Sequence, residues 1–527
     1  MSKLTRATLL LAFFFAADKV FAILRQVIIA RQFGLTSGLD AFNVANNLPD
    51  MLFALFSSGA LALALIPVLS EILAKENRKA AWALFSRIAN LVFIITACLS
   101  LLVVIFAEPL VKSRFGIAPG FSPEQQQLVV RLMRLDLIAT LIFSISGLVI
   151  AGLQANQHFL LPALAPLLYN IGQIIGAIIL SPAEGYRIGS ISLPAFNMGI
   201  YGLVAGVILG AILHLAIQVP GLIHFGFKWQ PGLALSNPRV KQVLKLMGPR
   251  VLTVFFIQIT FIARDNLASH FTQGAVSALT YGWMIQQVPE TLIGTAIGTA
   301  MLPALSEMVA REQRARFRST IENAIRVLIA ITIPVAVILS LGLKPLIEFA
   351  FGFKAEGTEM LLWVSRGFLI GLLGHSLLET AGRSFYAQQN AIIPMLAAGL
   401  NAGLYVLFGS WFSRILGVMG ISLGDSLAFT IEAVILLIIL AIQYFSSTED
   451  VEKKLGLDRL MKIDLDALGT ILRSVLAGIV AGVIVFFSQG WFAGRIPGIL
   501  SGMAGLILAG ISILPFIWKE LKLLFHL

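Results

Sequence analysis

The chain has 527 residues, of which 58% are hydrophobic and only 12% are charged, and its mean hydropathy is +0.91. This composition excludes a soluble globular domain. The net charge of +11 does not indicate a nucleic-acid partner, because the cations lie in short stretches between apolar segments. A single cysteine, Cys98, excludes an internal disulfide and a cysteine-based metal site. Apolar runs near the length of a bilayer-spanning helix recur along the chain, so the sequence predicts an all-α polytopic membrane protein.

Fourteen transmembrane helices are predicted. The first apolar stretch is long, carries internal charge and lacks a small-residue cleavage site, so we interpret it as a helix and not as a cleavable signal peptide. In chain order, the predicted spans are 8–31, 40–72, 84–107, 126–154, 159–181, 198–223, 241–270, 275–307, 320–343, 358–387, 391–412, 418–444, 467–489 and 497–518.

The cations of the predicted loops give the chain an orientation. Twenty Lys and Arg residues fall on the side that holds both termini, and seven fall on the other side. Cytoplasmic loops carry the excess of Lys and Arg in membrane proteins. The sequence therefore predicts that both termini lie in the cytoplasm.

An internal repeat divides the chain. "PVLSEILAKE" (67–76) ends predicted helix 2 and "PALSEMVARE" (303–312) ends predicted helix 8, at an offset of six helices. An even number of helices per repeat keeps both halves in the same orientation, which predicts a pseudo-two-fold axis along the membrane normal. The predicted organisation is an N-terminal six-helix lobe (1–225), a C-terminal six-helix lobe (226–445), a cytoplasmic amphipathic linker (446–466) and two C-terminal helices (467–527).

Charged and amide residues concentrate in predicted helices 1, 2, 7 and 8. One charge at the centre of such a helix costs about 2.5–3.5 kcal/mol on insertion scales, so these residues predict a polar cavity between the lobes. Asp18 and Arg25 are seven residues apart and share a helix face, with Lys19 beside them. Lys and Arg suit an anionic substrate, and the Arg fork suits phosphate. The candidate substrate-binding residues are Asp18, Lys19, Arg25, Asp40, Asn47, Arg264 and Gln287.

Each candidate has a structural alternative. Asp18–Lys19 and Arg264–Asp265 are also interpretable as structural ion pairs. Pro49 and Pro289 occupy similar places in the two halves, as hinges of alternating access or as fixed kinks.

The sequence contains weaker patterns that concern energy coupling and helix packing. Asp265, Asn401 and Asp425 are candidate ligands for a coupling cation, or polar packing residues. No ATP-binding or metal-binding motif occurs, so we expect a transporter without a cofactor, coupled to a monovalent cation or to the membrane potential. Small-residue motifs such as "GVILG" (206–210) are typical of close helix packing.

The sequence resembles a known family, the MurJ/MviN lipid II flippases of the MOP exporter superfamily. The resemblance runs from predicted helix 1 to predicted helix 12. The stretches that carry it are "LRQVIIARQFG" and "DAFNVANNLP" (24–49), "APGF" (118–121), "PALAPLLYN" (162–170), "LMGP" (246–249), "IGTAMLPALSE" (297–307) and "RSFYAQQNAIIP" (383–394).

The resemblance implies a fold and a function. It implies fourteen helices, two six-helix lobes, a cationic central cavity and a groove on helices 13 and 14 for a polyprenyl tail. The implied substrate is an undecaprenyl-pyrophosphate-linked peptidoglycan precursor, moved from the cytoplasmic to the outer leaflet of the bacterial inner membrane. Membrane lipid and the cell-wall synthesis machinery are the implied partners. Arg25 and Asp40 match family positions, and Lys19 stands where the family often has arginine.

Three positions depart from the family pattern. Phe53 and Met284 stand where the family has arginine, and Gln287 stands where it has glutamate. These departures keep other functions open: an exporter of another lipid-linked oligosaccharide, a drug or cation antiporter of the same superfamily, or a non-transporting membrane scaffold.

Overall fold

The protein is described here by a computed structural model, which covers residues 3–56, 59–233, 236–445, 465–492 and 497–524. The predicted linker (446–466) lies outside the described residues except for its last two positions.

The described residues form nineteen α-helices, two π-helical turns and one short hairpin. The α-helices are α1 (Lys3–Phe33), α2 (Ser37–Phe56), α3 (Gly59–Lys75), α4 (Arg78–Lys112), α5 (Pro123–Ala155), α6 (Leu160–Ile175), α7 (Ile200–Ala216), α8 (Val219–His224), α9 (Pro238–Ala268), α10 (Ala275–Glu290), α11 (Ala296–Ala310), α12 (Arg314–Gly342), α13 (Lys344–Phe351), α14 (Ala355–Ile370), α15 (Leu372–Ala387), α16 (Ile392–Leu416), α17 (Val418–Phe445), α18 (Leu465–Phe492) and α19 (Gly498–Leu524). The π turns are Gly176–Leu180 and Thr291–Thr295. Strands β1 (Arg187–Ile188) and β2 (Ile191–Ser192) pair antiparallel, with Arg187 opposite Ser192.

The all-helical polytopic class is confirmed. Eleven helices among the described residues are long and apolar enough to cross a membrane, and α14 with α15, bent by 42°, makes a twelfth if the pair is one span. The helices at the first two predicted spans, α1 and the pair α2 and α3, are not in this set. The count of fourteen spans therefore stays a prediction.

Side-chain caps fix where several long helices begin. Asn77 accepts a hydrogen bond from the backbone N–H of Ala80 at the start of α4. Ser122 accepts one from Gln125 at the start of α5. These oxygens satisfy N–H groups that have no partner inside the helix.

Contacts between Cα atoms divide the chain into two units, Met1–Ser277 and Ala278–Leu527. In the first unit, α5 is the central helix and packs against α2, α3, α4 and α7, while α1 packs against α6. The core of this unit includes Trp82 and Phe85 of α4, whose rings pack edge to face at 5.4 Å. The lobe boundaries predicted from the sequence stay predictions.

In the second unit, α17 packs against α14, α15 and α16, and α12 packs against α18 and α19. Phe317, Phe368 and Phe385 are among its largest fully buried side chains. One core cluster joins α12 to α18 and α19 through small and β-branched residues, including Ala477, Ala481 and Val485. The two C-terminal helices are therefore packed onto this unit through α12.

The small-residue motif at 206–210 marks a close helix contact, as predicted. A Cβ added to Gly172 of α6 would lie 2.4 Å from the Cα of Gly210 on α7. One turn later, a Cβ added to Gly176 would lie 2.6 Å from the Cα of Gly206. Glycine at all four positions lets the two backbones touch, which is how helices gain van der Waals packing inside a membrane.

The two copies of the repeat have the same local structure. Lys75 Nζ lies 2.8 Å from Glu71 Oε1 in α3, and Arg311 Nη2 lies 2.8 Å from Glu307 Oε1 at the end of α11. The following helices, α4 and α12, begin at Arg78 and Arg314, again at the offset of the repeat. The repeated letters thus encode the same helix end and the same ion pair.

We predict that Gly172→Ala destabilises the protein by about 1–3 kcal/mol, because the new methyl group must displace the backbone of α7. The thermal midpoint of the purified protein in detergent measures the change. Gly403→Ala is the matched control, since Gly403 lies within α16 and a Cβ there meets nothing within 4 Å. An equal loss in both variants would contradict the close packing of α6 on α7.

Candidate functional site

The polar face of α1 lies against α6. Asn170 Nδ2 of α6 donates a hydrogen bond to Asp18 Oδ1 at 2.8 Å. The guanidinium carbon of Arg25 lies 5.9 Å from the ring centroid of Tyr169, the residue before Asn170. Asp18 and Arg25 therefore face the same helix, as their spacing predicts. Lys19, beside them, is exposed.

Arg25 has a donor that no described residue uses. Its Nε is buried and has no hydrogen-bond partner. Its charge acts on two carboxylates, Asp18 of the same helix and Asp50 of α2. A guanidinium carries five N–H donors, so Arg25 keeps donors for an anionic ligand.

Asp40 occupies a different position from the one expected of a ligand-binding residue. Its Oδ2 accepts a hydrogen bond from the backbone N–H of Gly274 at 2.6 Å, and its Oδ1 accepts from the N–H and the hydroxyl of Ser277 at 2.9 and 2.6 Å. Asn43 donates to the same hydroxyl at 3.0 Å. Asp40 is only 1% exposed and holds the beginning of α10 against α2. Its predicted contact with substrate stays a prediction.

Arg264 and Asp265 form an ion pair inside α9. Arg264 Nε donates to Asp265 Oδ1 at 2.7 Å, and Asn47 Nδ2 of α2 donates to Asp265 Oδ2 at 2.6 Å. Asp265 is completely buried. The Arg264–Asp265 ion pair is thus observed and three predicted site residues come together in it, while the substrate-binding role of Arg264 stays a prediction.

A loop between α4 and α5 closes over the end of α9. Asn266 Nδ2 donates to the carbonyl of Gly116 at 2.6 Å, and the N–H of Gly120 donates to Ser269 Oγ at 3.0 Å. A Cβ added to Gly120 would lie 2.6 Å from the carbonyl oxygen of Ser269. The "APGF" stretch is therefore a docking loop, a role that sequence reasoning missed.

The three departing positions have distinct surroundings. Phe53 of α2 packs on Phe143 of α5, with ring centroids 4.9 Å apart. Met284 is partly buried and Gln287 is exposed, both on α10. Pro49 and Pro289 are both buried inside helices, and the π turn Thr291–Thr295 begins two residues after Pro289.

In the second unit, the two candidate cation ligands differ in their surroundings, and sequence reasoning missed the partner of Asp425. Asp425 Oδ2 lies 3.1 Å from Nε2 of His375, whose ring stacks on Phe429 at 4.1 Å. Asn401 is 2% exposed and its Nδ2 has no hydrogen-bond partner, and Glu432 is another buried acid of this unit. Among the described residues, no group of three or more His, Cys, Asp or Glu side chains could hold a metal ion.

We predict that Asp265→Asn destabilises the protein by about 3–5 kcal/mol, since it removes the buried anion to which Arg264 donates. The thermal midpoint and the yield of membrane-inserted protein measure the loss. The double variant Arg264→Gln/Asp265→Asn should recover part of it, because neither charge is then left alone in the interior. A double variant less stable than the single one would contradict this pairing.

Comparison with known proteins identifies relatives along most of the chain. A sequence profile described as "Lipid II flippase MurJ" matches residues 29–502. The chain is 30% identical over 404 residues to the lipid II flippase MurJ of Burkholderia cenocepacia, with 75% of each chain covered. It is 25% identical over 422 residues to a probable lipid II flippase MurJ of Vibrio cholerae, with 78% of each chain covered.

Solved structures share the fold. A lipid II flippase MurJ in an inward closed conformation superposes with a TM-score of 0.75 at 22% identity, covering 97% of this chain and all of that one. An inward-facing MATE family multidrug transporter of the MOP superfamily superposes with a TM-score of 0.68 at 14% identity, covering 81% of this chain and 95% of that one. At these identities the likeness concerns the fold alone.

Proposed function

The chain belongs to the lipid II flippase MurJ family, and from this premise we propose that it carries lipid II from the cytoplasmic to the outer leaflet of the bacterial inner membrane by alternating access. The match over residues 29–502 carries the proposal. It is a multi-pass membrane transporter, not an enzyme. The substrate we propose is an undecaprenyl-pyrophosphate-linked saccharide, delivered to the cell-wall synthesis machinery outside.

Arg25 is the residue to which we assign the pyrophosphate. It sits within apolar helices, it has an unpartnered buried nitrogen, and its fork can bond two phosphate oxygens at once. Lys19 is exposed on the same helix and adds a second positive charge. Arg264 is less suited, because Asp265 already neutralises it.

The hinges that we propose lie at irregularities of the helices. We assign bending to Pro49 and to Pro289, since proline removes one hydrogen bond from each helix and the π turn Thr291–Thr295 adds a second irregularity. The bonds from Gly274 and Ser277 to Asp40 must break if α10 is to leave α2. Asp40 would then hold the two helices together, and its contact with substrate stays part of the proposal.

Energy coupling and topology complete the proposal. We propose fourteen spans with both termini in the cytoplasm, two lobes related by a pseudo-two-fold axis, and the last two helices as the site of the lipid tail. Coupling to a monovalent cation or to the membrane potential is proposed, with Asp425 and Asn401 as the candidate residues because each is buried and polar.

A second candidate is export of another polyprenyl-linked oligosaccharide. The apolar contact of Phe53 with Phe143 favours it, since that position holds no cation here. Complementation of a bacterium depleted of its own lipid II flippase, with externalised lipid II measured directly, separates the two. Rescue is expected; normal membrane insertion without rescue would overturn the lipid II proposal.

We predict that Arg25→Ala abolishes this rescue and leaves the protein level intact. Losing a charge-assisted pair of bonds costs about 1.5–3 kcal/mol, or roughly a ten- to hundredfold loss of affinity. Arg25→Lys should restore part of the activity, because it keeps the charge without the fork. Arg31→Ala, at an exposed position of the same helix, is the control. Disappearance of the Arg25→Ala protein itself would assign Arg25 to folding.

We also predict that single cysteines at Lys79 and Lys354 label from opposite sides of the membrane. In a Cys98→Ser background, Lys354→Cys should react with an impermeant maleimide in intact cells, and Lys79→Cys should react only after the membrane is opened. Both positions are exposed, so accessibility depends on the side and not on burial. The reverse pattern would overturn the proposed orientation.

A further inference from the structure

One buried acid in the first unit lacks the donors that the others have. Asp136, in the middle of α5, is 3% exposed, and its Oδ1 has no hydrogen-bond partner. The similarly buried Asp40, Asp265 and Asp425 each have a partner within hydrogen-bond distance. An ionised carboxylate without donors is costly in a low-dielectric interior, whereas the neutral acid is not.

The surroundings of Asp136 make this cost larger. Asp50 of α2 is the charged group that acts on it, and it is a second anion. Tyr169 of α6 also faces this pair, with Arg25 of α1 acting on Asp50 and on Tyr169. His214 of α7 bonds to Ser146, ten residues further along α5. The remaining titratable residues on helices packed against α5 do not act on Asp136; they are Asp40 of α2, Glu71 and Lys75 of α3, Arg78, Lys79, Arg87, Cys98, Glu108 and Lys112 of α4, Tyr201 of α7 and His224 of α8.

Asp136 also lies beside a hinge. One turn further along α5, the hydroxyl of Thr140 reaches the carbonyl of Pro49 at 3.5 Å. Pro49 has no N–H, so α2 lacks one backbone hydrogen bond at the residue immediately before Asp50. A negative charge on Asp136 would repel Asp50 across this contact, and a proton on Asp136 would remove the repulsion.

We propose that Asp136 is a proton-binding site of the first unit, and that its protonation state controls the contact between α2 and α5 at Pro49. The neutral acid holds α2 in the observed position and can donate a hydrogen bond, which the carboxylate cannot. Release of the proton favours movement of α2 about Pro49. The proton binding stands by itself; its effect on lipid movement rests on the proposed flippase function.

The first experiment measures proton binding without any lipid substrate. Infrared difference spectra of the purified full chain, taken from about pH 5 to pH 9, should contain a protonated-carboxyl band that titrates. Asp136→Asn should lose this band, and Ser144→Ala, a buried change on the same helix, should keep it. Identical spectra of the wild type and Asp136→Asn would overturn the proposal.

Two further experiments identify the bound ion and its effect on lipid movement. If sodium chloride at constant pH, compared with choline chloride, removes the band while pH does not, the site binds a metal cation and the proton proposal is overturned.

In proteoliposomes, the wild-type rate of lipid II movement should change at least severalfold with a pH gradient. Asp136→Asn should lose this response and still bind lipid II. A titrating band without any lipid II movement would refute the flippase proposal and support the proton site.

Discussion

The pairing of Arg264 with Asp265 and Asn47 is the interaction on which the first unit depends. An isolated charge inside apolar helices is unstable, so the α9 ion pair persists only with complete hydrogen bonding. The bond from Asn47 ties α9 to α2 while it satisfies the carboxylate. Asp40, seven residues earlier on α2, ties the same helix to the beginning of α10. These hydrogen bonds together fix where α2, α9 and the start of α10 meet.

Arg25 differs from these residues in its hydrogen-bond partners. Its guanidinium lies against the ring of Tyr169, and its Nε has no partner. The carboxylates of Asp18 and Asp50 act on it through their charge, so its positive charge is balanced without its donors being used up. A charge balanced in this way is tolerated in the protein interior. Arg264 is paired inside the fold, whereas the Nε of Arg25 has no partner.

Several features of the fold could be predicted because they depend on neighbours along one helix. The 3.6-residue period placed Asp18 and Arg25 on one face, and the repeat located two helix ends with the same ion pair. Other features could not, because the partner is distant in sequence. Nothing near Asp425 indicates His375, fifty residues away, and nothing near "APGF" indicates the end of α9. Hydrophobic periodicity carries no information about such pairs.

The sequence by itself determined a polytopic helical membrane protein with a repeated helix-end motif and a family membership, since composition, apolar run length and motif letters are properties of the chain alone. Only the tertiary structure decided which charged side chains are hydrogen-bonded within the fold. Asp40 and Arg25 look equally functional as letters, yet one is enclosed by the N–H groups of Gly274 and Ser277 and the other keeps free donors. The physical reason is that the cost of a buried charge depends on the donors and acceptors around it, and packing alone brings these together.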